Sequence, residues 1–432
     1  MYPLSTFAID VHLRQNQSED LACISANITP EFNEEISAAL KYGPISIFLF
    51  VVLSALAAVI CGFRTSVDAE SREIVSISVL PGVGDCLQYL QFIFFTGSLT
   101  LPYPGFFQPV VSFLSWAALY SRKGPVNHGF SYSSSADGIY EINGTFTGSY
   151  GLEVMAQVVG APATMDAWLN MVVLIFVIAI GTAVLIQMGS LVPLVRDSFS
   201  RADHTDDTQI SQIRHHTWTV LKVIFSYFLL PIITISAYQI SNSRLLPVYH
   251  LSLAATLIAA MILSFSWLAK QVPTRQLGTL ILEDSKRYHK LPSDRDTNAF
   301  VLILFSLGFA RGAAIGGLQV SALAQIVLLA TFEIFLLASI IILRPFRVLS
   351  GFTLSTAIRA IIVLLSSAFL PILDASTSTK SLIGYIILFL HAAILIICFL
   401  LPAFHRLWQV LAKRSPGEEP EVILQIQPHS IR

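Results

Sequence analysis

Nine apolar runs long enough to cross a bilayer divide this chain, and no soluble fold can bury that many. At about 1.5 Å of rise per residue, a helix needs roughly 20 apolar residues to cross a hydrocarbon core about 30 Å thick. Runs of that kind fall at about 44–63, 82–100, 169–190, 217–239, 245–269, 299–319, 320–343, 351–372 and 382–403. The composition agrees: 54% hydrophobic, 12% charged and mean hydropathy +0.69, against about 25% charged in soluble chains. The expected fold class is all-α, a polytopic integral membrane protein with about nine transmembrane helices. A net charge of −1 and the lack of a basic stripe with interleaved aromatics argue against nucleic acid and leave the lipid bilayer as the first partner.

Basic residues set the expected orientation, because cytosolic loops carry an excess of Lys and Arg. With the N-terminus luminal or extracellular and the C-terminus cytosolic, only Arg14, Lys41, Arg122, Lys123, Arg244 and Lys380 of the 26 Lys and Arg residues lie outside, while Arg311 and Arg359 fall within spans. This bias also reads the uncharged stretch 89–120, which as one helix would be roughly 48 Å long and must break. Pro102 and Pro104 provide the break. A second crossing by 105–120 would turn the basic 270–295 loop outward, so the stretch crosses once. Its remainder is expected to be interfacial or re-entrant, with Trp116 and Tyr120 suited to the headgroup level.

Three sequons, at Asn16, Asn27 and Asn143, fall on the outer side. Asn143 and Asn16 are the candidate glycosylation sites. Cys61, Cys86 and Cys398 lie in or beside spans as small apolar residues. Cys23 stands by itself outside, and no apolar signal segment precedes it.

No phosphate loop, zinc-spaced cluster or nucleophile elbow is present, so no catalytic residue, metal site or enzyme activity is expected. The acidic and histidine-rich loop 201–216 reads as a solvated cytosolic segment. The basic loop 270–295 is suited to a surface helix facing anionic lipid. Charges inside spans are more informative, since they are costly unless paired or wetted. Arg311 and Glu333 lie at matching depths on adjacent antiparallel spans, roughly 17 Å from the cytosolic boundary, and Arg359 lies at roughly 12 Å on the next. These three either line an ion or ligand path or lock helices together. Gly308, Gly312 and Gly316, at four-residue spacing, present a bare face for close helix packing. Pro231 predicts a kink in the fourth span, and His391 and His250 read as structural histidines.

The segment QFIFFTGSLTLPYPGFFQPVVSFLSW resembles the fungal transient-receptor-potential-like proteins, which include the flavin carriers. The resemblance rests on Gln91, Phe92, Thr96, Gly97, Tyr103, Pro104, Phe113 and Trp116, on LACISANITPEFNEEISAALKYGP, and on ILRPFR near 343–347. It implies three parts. Residues 1–40 would be a luminal remnant of an ML-like, lipid-recognition-like domain. Residues 41–405 would form the transmembrane domain, with a luminal loop at 101–168. Residues 406–432 would be a disordered cytosolic tail.

The same resemblance implies a cation channel linked to calcium homeostasis, or transport of flavin adenine dinucleotide (FAD) into the secretory pathway. Calcium would be the permeant ion or FAD the transported solute, with no cofactor bound covalently. A homodimer or higher oligomer in the endoplasmic reticulum, secretory-pathway or plasma membrane is the matching assembly. A lipid scramblase, a sterol-linked lipid-handling protein and a non-transporting scaffold are the rival expectations.

Overall fold

The computed structural model describes residues 7–15, 19–28, 33–68, 82–121, 124–126, 133–134, 140–142, 145–147, 151–160, 164–191, 218, 220–221, 223–241, 246–271, 277, 294–343 and 351–412. Asn16, Asn143, the 201–216 loop, Arg344 to Arg347 and nearly all of the loop up to residue 293 lie outside these residues. The protein is a polytopic helical membrane protein. Among the described residues, seven helices are long and apolar enough to span a bilayer, by length and composition.

Among the described residues, strands form two small antiparallel sheets. Strands β1 (Phe7–Gln15) and β2 (Glu19–Ile28) pair antiparallel with a register shift at Leu13/Arg14. Short strands β3 (Ser133–Ser134), β4 (Tyr140–Ile142) and β5 (Thr145–Thr147) form a small antiparallel sheet.

The first long helix, α1 (Glu34–Asp68), starts well before the expected span and runs through Pro44. Helix α2 (Val83–Thr96) is only 14 residues long, about 21 Å. It is nonetheless deeply enclosed, buried without interruption from Tyr89 to Thr96. The chain then turns through the prolines and folds back as α3 (Phe107–Ser112) and a short 3-10 turn (Ser115–Ala118). Gln91 Nε2 donates to the Ala117 carbonyl at 3.0 Å, so this segment re-enters the bundle below the end of α2. Tyr120 is accordingly enclosed by protein, 5.8 Å from Phe94 between ring centroids, while Trp116 packs on Phe48 of α1. Inside apolar surroundings a non-helical backbone must have internal partners, and the Gln91 amide supplies one.

Helices α4 (Leu152–Val159), α5 (Thr164–Leu191), α6 (Leu229–Ser241) and α7 (Val248–Gln271) follow. Asn170 of α5 pins the returning loop by accepting from Val126 N at 2.8 Å and donating to Val126 O at 3.1 Å. The expected kink is present, but the helical run breaks at Phe228, three residues before Pro231. Pro231 has no N–H to bond the Tyr227 carbonyl four residues back. Two glutamines of α2 cover the break: Gln91 Nε2 donates to Tyr227 O at 2.7 Å and Gln88 Nε2 to Ser226 O at 2.5 Å.

The remaining helices are α8 (Asp294–Gly317), α9 (Ala322–Leu343), α10 (Gly351–Ser366), α11 (Thr377–Ile394) and α12 (Leu401–Ala412). Ser376 caps α11 by accepting from Thr379 N. A π-helical turn, Leu395–Leu400, joins α11 to α12. The whole run therefore spans 36 residues, and helix persists past the expected tail boundary at 406. Contact of α12 with α1, including stacked Phe50 and Phe404, supports that extension.

Candidate ionic site among the membrane helices

Glycines on α8 set the geometry of the site. A Cβ on Gly312 would come within 2.9 Å of Ile233, and one on Gly316 would overlap the Thr234 carbonyl, so α8 lies directly on α6. Gly308 completes the stripe against Leu229. Successive residues of a helix are rotated by about 100°. Arg311, next to Gly312, thus leaves this contact on the flank that meets α9.

On α9, Ile326, Leu329, Glu333, Leu336 and Ile340 are buried. Their alternating spacing of three and four residues makes one inward stripe with a carboxylate at its centre. Arg311 Nε lies 2.8 Å from Glu333 Oε1, and Arg359 Nε of α10 lies 3.4 Å from Oε2. Glu333 is 1% exposed, whereas Arg311 and Arg359 retain 13% and 12%. The distances are those of ion pairs, yet none of these N–H groups meets the carboxylate in good hydrogen-bond alignment. Charge more than directed bonding holds the three together, and neither arginine makes the two-pronged fork that guanidinium offers a carboxylate.

Helices α2 and α11 close the far side. The Arg359 guanidinium carbon lies 5.6 Å from the Phe92 ring centroid, within cation–π range. Phe92 also packs on His391, whose Nδ1 is 3.2 Å from the Tyr89 hydroxyl. His391 is buried, and its Nε2 has no hydrogen-bond partner. The π-helical turn begins four residues beyond it. Such turns recur at functional sites.

The structure brings Arg311, Glu333, Arg359 and Phe92 together. The other residues quoted for the family resemblance build the corner above. Gln91 bridges the re-entrant segment and the break in α6. The Tyr103 hydroxyl donates to the Thr96 carbonyl, and its ring stacks on Phe107 at 4.9 Å. A Cβ on Gly97 would press on Met155 and Val111. Pro104 packs near Gly384 of α11.

A second polar cluster lies at the turn between α8 and α9. Gln325 accepts from Thr100 N at 2.9 Å and donates to Ile315 O at 2.9 Å. Gln319 accepts from the Thr100 hydroxyl and from Leu152 N, both at 3.1 Å, and donates to Ser98 O and Ile315 O. Tyr238 donates its hydroxyl to Glu153 of α4. Burial pushes the Glu153 carboxyl above its usual range, and the tyrosine bond opposes that shift. Tyr89, Gln88, Gln319 and Gln325 were not singled out from the sequence. Only the three-residue step from Tyr89 to Phe92 on one helix face hinted at a shared site.

Comparison with known proteins bears on the same helices. No solved structure matches the chain. An uncharacterized membrane protein of Schizosaccharomyces pombe is 25% identical over 378 residues, covering 81% of this chain and 41% of the relative. The chain thus spans less than half the length of that curated relative. Residues 294–419 match the model of the transient receptor potential (TRP) ion channel family, so α8 to α12, with all three charged residues of the ionic site, form a segment similar to that family.

Proposed function

We propose that the chain is a membrane permeation protein of the TRP-like kind, with α8, α9 and α10 as its working element. The observation that carries this reading is the coincidence of the channel-like segment, residues 294–419, with the ionic site at Arg311, Glu333 and Arg359. Charge buried at this depth is expensive and is retained mainly on solute paths or at locks between helices. With both carboxylate oxygens engaged, Glu333 is a lock in this conformation. Opening α9 against α8 and α10 frees it.

Calcium and FAD are the two solute classes to separate. A cation path wants the Glu333 carboxylate released from its arginines. The excess of guanidinium over carboxylate favours an anionic solute such as FAD instead. Purified protein in sealed vesicles, assayed in parallel for calcium entry and FAD uptake, decides between them. Calcium flux abolished by Glu333→Gln supports the cation path, and saturable FAD uptake lost in Arg311→Gln supports the carrier. If folded protein moves neither, permeation fails and lipid handling or scaffolding takes its place.

A further inference from the structure

The ionic site does not balance its own charge. Two guanidiniums face one carboxylate, and among the described residues Glu333 is the only acidic group within ion-pair reach of either arginine. The surrounding elements bring no further acid into ion-pair reach: α2 contributes Tyr89 and Phe92, its Asp85 accepting instead from Gly82 N at the start of that helix, and α11 contributes His391. An unbalanced positive charge at this depth calls for a counter-charge.

Nitrogens of the cluster remain without partners once the carboxylate is set apart. Arg311 Nη2, which takes no part in the ion pair with Glu333, is a buried donor with no hydrogen-bond acceptor, while Arg311 Nε and Arg359 Nε face the carboxylate without aligned bonds. His391 Nδ1 shares a hydrogen bond of 3.2 Å with the Tyr89 hydroxyl, and its Nε2 has no partner. Arg359 and His391 both lie against the Phe92 ring. Both arginines keep a small exposed edge while Glu333 keeps almost none.

We propose that the Arg311 and Arg359 guanidiniums, beside Phe92 and His391, form a binding site for one small inorganic anion of halide size, which neutralises the cluster. The site does not require permeation, because a protein that conducts nothing can still hold a counter-ion there. Charge counting makes it testable. Arg359→Gln leaves a neutral pair with no surplus to balance. Glu333→Gln raises the surplus from one positive charge to two. Arg359→Lys preserves the charge.

The test is thermal unfolding of the purified full chain in neutral detergent, with chloride exchanged for gluconate at constant ionic strength. Saturable stabilisation by chloride is expected, with the midpoint temperature rising as binding to the folded state requires. The apparent chloride affinity should increase at least tenfold in Glu333→Gln, persist in Arg359→Lys and disappear in Arg359→Gln. Equal chloride responses in wild type and Arg359→Gln would mean a bulk salt effect and overturn the site. So would stabilisation by added phosphatidylglycerol without any response to chloride. If Arg359→Gln does not fold, an unchanged chloride affinity in Glu333→Gln would be equally fatal. Because the readout is unfolding in detergent, failure of vesicle flux leaves this result independent.

Discussion

Two polar clusters sit on the same helix pair, α8 and α9, and they are built in opposite ways. At the turn between these helices, Gln319 and Gln325 use donors and acceptors alike on Ser98, Thr100, Leu152 and Ile315. Deeper in the pair, three charges share two contacts, and several of their atoms lack an aligned partner. A neutral network with its bonds made fixes one arrangement of chain. A charged cluster with orphan donors is poised to accept something else. The turn is thus read as the anchor and the ionic site as the part that can change.

The largest effect should come from breaking the ionic site on one side. Glu333→Gln leaves two buried guanidiniums without a carboxylate and should cost about 3–5 kcal/mol, measured as a loss of thermal stability in detergent. Replacing Arg311, Glu333 and Arg359 together by Met or Leu should recover most of that loss, because apolar groups of similar volume carry no desolvation cost. Transport should be absent in the triple variant. If the triple variant transports normally, the cluster is merely a structural lock and the contrast with the turn collapses.

The interface beneath both clusters comes next. Gly316→Ala places a methyl group on the Thr234 carbonyl, and the resulting backbone shift should cost about 1–3 kcal/mol. Gly308→Ala, which meets only the end of Leu229 at 3.2 Å, should cost clearly less. Equal losses in the two variants would show that α8 does not bear on α6 as described.

Gln325→Ala removes partners from Thr100 N and Ile315 O and should destabilise by about 1–3 kcal/mol. Its signature differs from that of the ionic site. Stability should fall while the ratio of calcium to FAD transport stays at its wild-type value, as measured in vesicles. A change in that ratio would mean that the turn cluster takes part in solute choice, and the division between anchor and working part would have to be redrawn.

The sequence made the ionic site legible for reasons that do not extend to the anchor. Arg311, Glu333 and Arg359 stand out because hydrocarbon tolerates so few charges, and rise per residue places the first two at one depth. The glycine stripe is likewise visible as a repeat. Gln88, Gln319 and Gln325 carry no such signal, and Gln91 stood out only through the family resemblance, because an uncharged amide in an apolar run does not show whether its partner is lipid headgroup, water or a carbonyl far away in sequence. Gln91 lies 136 residues from the Tyr227 carbonyl it bonds. Expecting α2 to reach residue 100 also failed for a tertiary reason. The helix ends at Thr96 because the following segment folds back and closes over it, which hydropathy alone cannot describe.

The smallest expected effect tests whether the anchor extends to α4, and its sign is fixed. Glu153 has its carboxyl pKa raised by burial in the folded protein. The folded state therefore keeps a proton that the unfolded chain gives up at ordinary carboxylate pH, about 4.3. Its contribution to stability is fully present below that pH and is lost as pH rises through the folded value. Glu153→Gln should flatten this part of the dependence of unfolding temperature on pH, read as the difference between variant and wild type from about pH 4 to 7. Tyr238→Phe removes the hydroxyl that donates to the carboxylate, raises the folded pKa further and should steepen the loss. A flat difference for Glu153→Gln would place the carboxyl in water and detach α4 from the anchor. The opposite slopes expected for the two variants distinguish a buried, tyrosine-held carboxyl from any general effect of charge on the bundle.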